Sequence, residues 1–268
     1  MTDHFSVIGF KASSAEDLSS MVSGLLEKGG EKKPVQHGYY HRWKSPAGSE
    51  LWIHMQRAQD ASEDAASDPF VPVGITPFFA GQGRAPIRVR AMRQRPSDNL
   101  FEGAFYVEIG PTIALIDVVD FASFIGRPTP FMAIAQIVAF PHELVVFENE
   151  AAFLAAQSGQ DVKFTPRSFI ASGLFVGGDG GGDIVFLDPE SEDFRAPARA
   201  FLTGEVEKTE RRLNPETGQN FTWALIITAG GTFDFVADDS VLSAPLAPSM
   251  IVQGEFWLCA RLVDPGLS

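Results

Sequence analysis

The sequence has a single cysteine, Cys259. One thiol can form no internal disulfide and no cysteine-rich zinc site. Cys259 lies in the apolar run "FWLCARL", where an inert buried thiol is expected rather than a nucleophile. Basic residues are also few: 21 Lys and Arg stand against 34 Asp and Glu, a formal net charge of −13. That balance opposes a general nucleic-acid binder, which needs a basic footprint on the phosphates. No apolar run reaches the ~18 residues that would cross a bilayer, so no membrane partner is expected. The opening "MTDHFSVIGF" shows neither a basic n-region nor an apolar h-region. No signal peptide is expected from it, and a cytoplasmic location is the default. There is no G-x-S-x-G elbow, no H-E-x-x-H and no kinase set.

What is present describes a folded protein. Hydrophobic residues make up 45% and charged residues 21%, and 23 phenylalanines imply thick apolar cores. At 268 residues the chain can form one large domain or two ordinary ones. "FSVIGFKA" reads as a strand and "SSAEDLSSMVSGLLEKGG" as a helix. Ser13 and Glu16 have capping-box spacing. Leu18, Met21, Val22, Leu25 and Leu26 form one stripe, and Gly29 is placed to stop the helix. The hairpin "YYHRWKSPAGSELWIHM" completes a β-α-β-β opening. Residues 58–69 read as an exposed acidic loop.

From residue 101 onward, short apolar runs separated by Gly, Pro or charge predict many strands, with one helix over 149–157. No internal repeat of fixed period is visible. The fold class predicted is α+β, predominantly antiparallel β. A small α+β domain would span 1–98, and a β-rich domain with an OB-like C-terminal part would span 99–268.

The turn fixes the register of the first hairpin. Ser45-Pro46-Ala47-Gly48-Ser49 suits a three-residue loop with Gly48 in the left-handed conformation. Lys44 then pairs with Glu50, Trp43 with Leu51, Arg42 with Trp52 and His41 with Ile53. Tyr39, His41, Trp43, Leu51, Ile53 and Met55 share one face. Tyr40, Arg42, Lys44, Glu50, Trp52 and His54 share the other, more polar one. His41 and His54, which in the alternative register would face each other as half a metal site, are expected on opposite faces.

Five arginines crowd "GRAPIRVRAMRQRP". Arg88 and Arg90 alternate with apolar residues and project from one strand face. An anion site is one reading and a solvated face is the more ordinary one. Candidate ligand-binding residues are therefore Trp52, His54, Arg88 and Arg90. No metal ligand set and no cofactor is assigned. Glu102, Glu108, Asp117 and Asp120 are carboxylates that could pair in space as acid and base. His142, after Pro141, reads as a turn or rim residue.

The glycine-rich "GLFVGGDGGGDIVFLD" lacks the Lys and Ser/Thr of a P-loop, and a strand follows where a helix N-terminus is required. It also lacks an EF-hand's ligand set. A hairpin tip is the expected outcome.

Two resemblances are noted. Residues 198–262, with a long strand "FLTGEVEKTERR", the turn "NPETGQ" and a glycine pair at Gly230–Gly231, resemble an OB-type barrel. That resemblance implies oligonucleotide or sugar binding, with Phe221, Trp223, Phe233 and Phe235 as a stacking face. The acidic balance favours core for these four. The opening unit, with His4 ahead of it, resembles half of a vicinal-oxygen-chelate module of the glyoxalase type, which implies a metal held by His and carboxylate residues. The function expected is a non-enzymatic binding or assembly module. The alternative is a glyoxalase-like metalloenzyme in which His4, His54 and a carboxylate converge. Exposed strand edges would be the route to a homo-oligomer.

Overall fold

The computed structural model describes residues 4–11, 14–58, 69–178, 182–188, 191, 194–242 and 244–264. Among these the chain is mostly β and mostly antiparallel.

The N-terminal stretch is not the strand its alternation suggested. Ser6–Ile8 form a single 3-10 turn. Adjacent Val7 and Ile8, and Phe10 beyond them, are all fully buried, whereas neighbours in a strand point to opposite faces. The Ile8 carbonyl accepts from Ser49 Oγ at 2.7 Å and Asn214 Nδ2 at 3.4 Å, which pins the turn against distant parts of the chain. The β-α-β-β opening gives way to this turn, helix α1 (Ala15–Glu27) and a four-stranded sheet. Its strands are β1 (Glu31–Val35), β2 (Gly38–Lys44), β3 (Ser49–Arg57) and β4 (Phe70–Phe79). The helix cap falls one residue later than the capping-box spacing suggested. Ser14 Oγ accepts from the Asp17 N–H at 3.0 Å, and Ser13 lies outside the described residues. So does most of the expected acidic loop, residues 59–68.

β2 and β3 pair in the register the turn predicts, from Lys44↔Glu50 through His41↔Ile53 to Tyr40↔His54. Gly48 has φ +94°. A Cβ there would lie 2.9 Å from the Phe79 ring, so backbone and sterics both select glycine. His41 and His54 project from opposite faces, but both faces are covered. Tyr39, Ile53 and Met55 pack with Val22 of α1. Tyr40 and Trp52 belong to a core that includes Val138, Phe140 and Cys259. The polar face is buried because its charges are matched: fully buried Glu50 accepts from Arg42, Arg261 and Trp52 Nε1.

The remaining strands are β5 (Ala85–Arg93), β6 (Ala104–Ile109), β7 (Thr112–Val118) and β8 (Phe131–Phe147), then β9 (Phe169–Ile170), β10 (Phe175–Gly178), β11 (Gly182–Phe186) and β12 (Arg199–Leu213), and finally β13 (Asn220–Thr228), β14 (Gly231–Ala237) and β15 (Ile251–Asp264). The expected helix appears as α2 (Glu150–Ala156), capped by the Asn149 side chain. β10 and β11 form a separate hairpin flanking the glycine-rich loop. The tip of that loop, 179–181, and the side chain of Asp183 lie outside the described residues.

The other nine strands form one sheet whose pairings close on themselves twice. One circuit runs β5–β6–β7–β15–β8 and back to β5. The other runs β12–β13–β14–β8–β15 and back to β12. In each, three meandering strands end in a parallel contact with the long last strand of the other half. These contacts are Asp117↔Cys259 and Asp234↔Val138, and Cys259 pairs directly with Val138. The halves β5–β8 and β12–β15 are therefore related by a duplication of pairing. β5 lies before the expected boundary at residues 98 and 99, yet it belongs to this sheet. Phe221, Trp223, Phe233, Phe235 and Cys259 are buried, and burial pushes the Cys259 thiol well above its usual range.

Candidate functional site

A cavity of about 560 Å³ opens between the four-stranded sheet and the nine-stranded sheet. This volume lies within the roughly 300–1,000 Å³ range of small-molecule sites. Seven parts of the chain build it. His54 and Thr76 come from β3 and β4. Arg95, Asp98, Phe101 and Glu102 come from the β5–β6 connection. Asp117 and Val118 end β7, and His4 and Phe5 precede the first turn. His142 and Trp257 project from β8 and β15.

His142 is not the turn residue its neighbour Pro141 suggested, because β8 runs straight through both. Pro141 pairs with Phe256 and Glu143 with Glu255, which leaves His142 as the extra residue of a bulge. A bulge of this kind re-aims a side chain, here into the cavity.

His54 is 1% exposed and held at both ring nitrogens. The Asn99 side-chain amide donates to Nδ1 at 3.3 Å, which leaves the proton on Nε2, 3.2 Å from Thr76 Oγ1. The ring also stacks on Phe101, with centroids 5.7 Å apart. Burial pushes its pKa down to about 4, so it is neutral at pH 7. His4 stacks on Trp257 at 4.6 Å and is likewise pushed down to about 4 by burial. Its buried Nε2 has no hydrogen-bond partner among the described residues. Burial lowers His142 as well.

The carboxylates set the charge of the cavity. Asp117 accepts one hydrogen bond at each oxygen, from Arg95 Nη2 and from Trp257 Nε1, both at 2.7 Å. Glu102 Oε2 accepts from the Asn99 N–H at 3.2 Å. Its Oε1 faces His54 Nδ1 at 3.6 Å, a nitrogen already used as an acceptor. Burial raises both carboxyls, Asp117 against the opposing pull of Arg95. Arg95 is shared with Asp98, through its backbone N–H at 2.8 Å and its guanidinium at 3.5 Å. Three carboxylates thus face one guanidinium, and the histidines add no positive charge.

Of the residues singled out from sequence, His54, Glu102, Asp117 and His4 meet here. Trp52 does not line the cavity. It is 3% exposed, donates to Glu50 and lies under the Arg42 guanidinium. Arg88 and Arg90 stand on an exposed strand face, and both engage Glu108. Asp120 is bound to Lys33 outside the cavity. His41 is buried toward α1, and His37 is exposed in the β1–β2 turn. Sequence reasoning did not single out Arg95 or Trp257 individually. An acidic residue in an otherwise apolar strand, as in "TIALIDV", was the available signal for their partner Asp117.

Although His4, His54 and carboxylates share one cavity, no three His, Cys, Asp or Glu side chains among the described residues are grouped closely enough to hold a metal ion. Comparisons with protein-family models, curated proteins and solved structures gave no match to this chain.

Proposed function

We propose that the chain is a non-enzymatic binding module whose small-molecule ligand enters the cavity between the two sheets. One observation carries this: a concave site in which polar side chains from separate parts of the chain converge, with Phe5, Ile75 and Pro77 among its apolar lining. Convergent polar groups in an otherwise apolar pocket are the usual form of a ligand site. We read the two circuits of pairing as five-stranded barrels sharing β8 and β15, the second of them OB-like. In this reading Phe221, Trp223, Phe233 and Phe235 are barrel core and not a platform for bases. The soluble, cytoplasmic setting expected from the sequence belongs to the same reading.

The test is a thermal-shift screen of a metabolite library against the native chain and against Thr76→Trp, which fills the cavity from β4. At least one compound should raise the melting temperature of the native chain and not that of the variant. Mass spectrometry should recover the compound unchanged after incubation. A screen without hits, or hits indifferent to Thr76→Trp, would sink the proposal. Turnover of the hit would replace a binding module with an enzyme. The glyoxalase-like alternative is less well supported, because both His54 nitrogens are already engaged. Stoichiometric metal in protein purified without a histidine tag would restore it.

A further inference from the structure

The duplication in the large sheet supplies an internal standard for this cavity. Cys259 and Val138 are equivalent positions, so Asp117 is equivalent to Asp234. Trp257 and Gln136 each lie two residues earlier on β15 and β8 and are equivalent as well. Ala104 pairs with Asp117 and Leu225 with Asp234, so Glu102 occupies the place of Trp223.

The Asp234 site is filled from within. Oδ1 accepts from the Gln82 N–H at 2.9 Å and Trp223 Nε1 at 2.8 Å. Oδ2 accepts from the Gly83 N–H at 3.0 Å and Gln136 Nε2 at 2.8 Å. At Asp117 only the counterpart of Gln136, Trp257, is retained. Glu102, an acceptor, stands where Trp223 donates. The segment matching Gln82–Gly83 is Pro197–Ala198, because Ala85 and Ala200 are equivalent. Pro197 has no N–H to give. Arg95 fills part of that gap, spanning from Asp117 to the Ala196 carbonyl at 2.8 Å. Among the described residues Asp117 is left with two hydrogen bonds where Asp234 has four, beside a Glu102 Oε1 to which none of them donates a hydrogen bond.

We infer that the ligand of this cavity is an organic cation bearing several N–H donors, an amidine, guanidine or amine. Its charged head would take the donor positions missing around Asp117 and Glu102. The inference rests on the binding reading above. A cationic head meets three carboxylates and one guanidinium already shared between two of them. The apolar remainder lies against Phe5, Ile75 and Pro77. A carboxylate or phosphate ligand would meet like charge on the same wall.

Isothermal titration with three molecules of one shape tests it: benzamidine, neutral benzamide and anionic benzoate. Benzamidine should bind. Benzamide should bind at least tenfold more weakly, and benzoate not at all. Glu102→Gln should weaken benzamidine at least tenfold. In the unsubstituted protein, acidification should also weaken it, because burial raises the Glu102 carboxyl and its protonation removes negative charge from the cavity. Equal binding of benzamide or benzoate, or indifference to both Glu102→Gln and pH, would overturn the inference. Absence of benzamidine binding alongside library hits blocked by Thr76→Trp would overturn the ligand class and leave the binding module standing. Absence of both would remove the two proposals together.

Discussion

Asp117 and Asp234 occupy matching places in the two halves of the large sheet, yet one is a sealed structural joint and the other a wall of an open cavity. The backbone pairing around them is the same. What differs is the supply of donors. Asp234 receives two from a glycine-rich backbone segment, where a Cβ on Gly81 would fall 2.0 Å from the carboxylate. Among the described residues Asp117 receives none from backbone. Burial raises both carboxyls, but only the sealed one has every lone pair occupied from within. The lesson is that a duplicated framework can separate stability from binding when one copy of a site loses its internal donors.

The largest effect should come from breaking the sealed copy. Asp234→Ala leaves three buried donors, and the partly exposed Gln82 N–H, without their carboxylate. At about 1 kcal/mol or more for each buried donor, the loss should be about 3 kcal/mol in urea unfolding. Asp117→Ala should cost distinctly less, since Arg95 keeps Asp98 and the cavity admits water to Trp257. Equal losses would mean that the two sites are not functionally divided.

Acid should act on the open copy next. The His54 pKa lies near 4 in the fold, against 6.5 as its ordinary value. Between these pH values the unfolded chain holds a proton that the fold does not, so stability falls as pH drops from 6.5 toward 4 and no further below that. The shift corresponds to about 3 kcal/mol from this residue. His4 adds to the same slope. Glu102 and Asp117, raised in the fold, contribute with the opposite sign. Chemical denaturation across pH, repeated on His54→Gln, should show the variant with the flatter profile. An unchanged profile would show that His54 is not the buried neutral group described.

At the small end, removing Arg88 and Arg90 together should change stability by no more than about 0.5 kcal/mol. Their ion pairs with Glu108 lie on a solvated face. It should also leave ligand binding untouched. A large loss of binding would move the site away from the cavity altogether.

Local chemistry made part of this structure legible in the sequence. Pro46-Ala47-Gly48 set a turn, the turn set a register, and the register put His41 and His54 on opposite faces. The helix over 149–157 and the burial of Cys259 and the four barrel-candidate aromatics were likewise readable from pattern and composition. The duplication was not readable. β7 "TIALIDV" and β14 "GTFDFVA" share little beyond an aspartate among apolar residues, and their equivalence lives in which strands they pair with. The site was half visible for the same reason. Glu102 and Asp117 could be named as carboxylates, but Trp257 reaches Asp117 from 140 positions away. His142 depends on a bulge, and a bulge is set by pairing across two strands.

The exchange of long strands between the halves bears on how the chain is made. β8 cannot complete its contacts until β14 and β15 exist, roughly a hundred residues later in synthesis. A nascent N-terminal half therefore leaves the ribosome with β7 and β8 displaying open edges, the condition under which chains associate wrongly. Few of the closing contacts are local, so folding should be slow for a protein of this size. The second half supplies the missing partners of the first. Severing the chain between β9 and β12 should leave two fragments that aggregate apart and recover structure when refolded together.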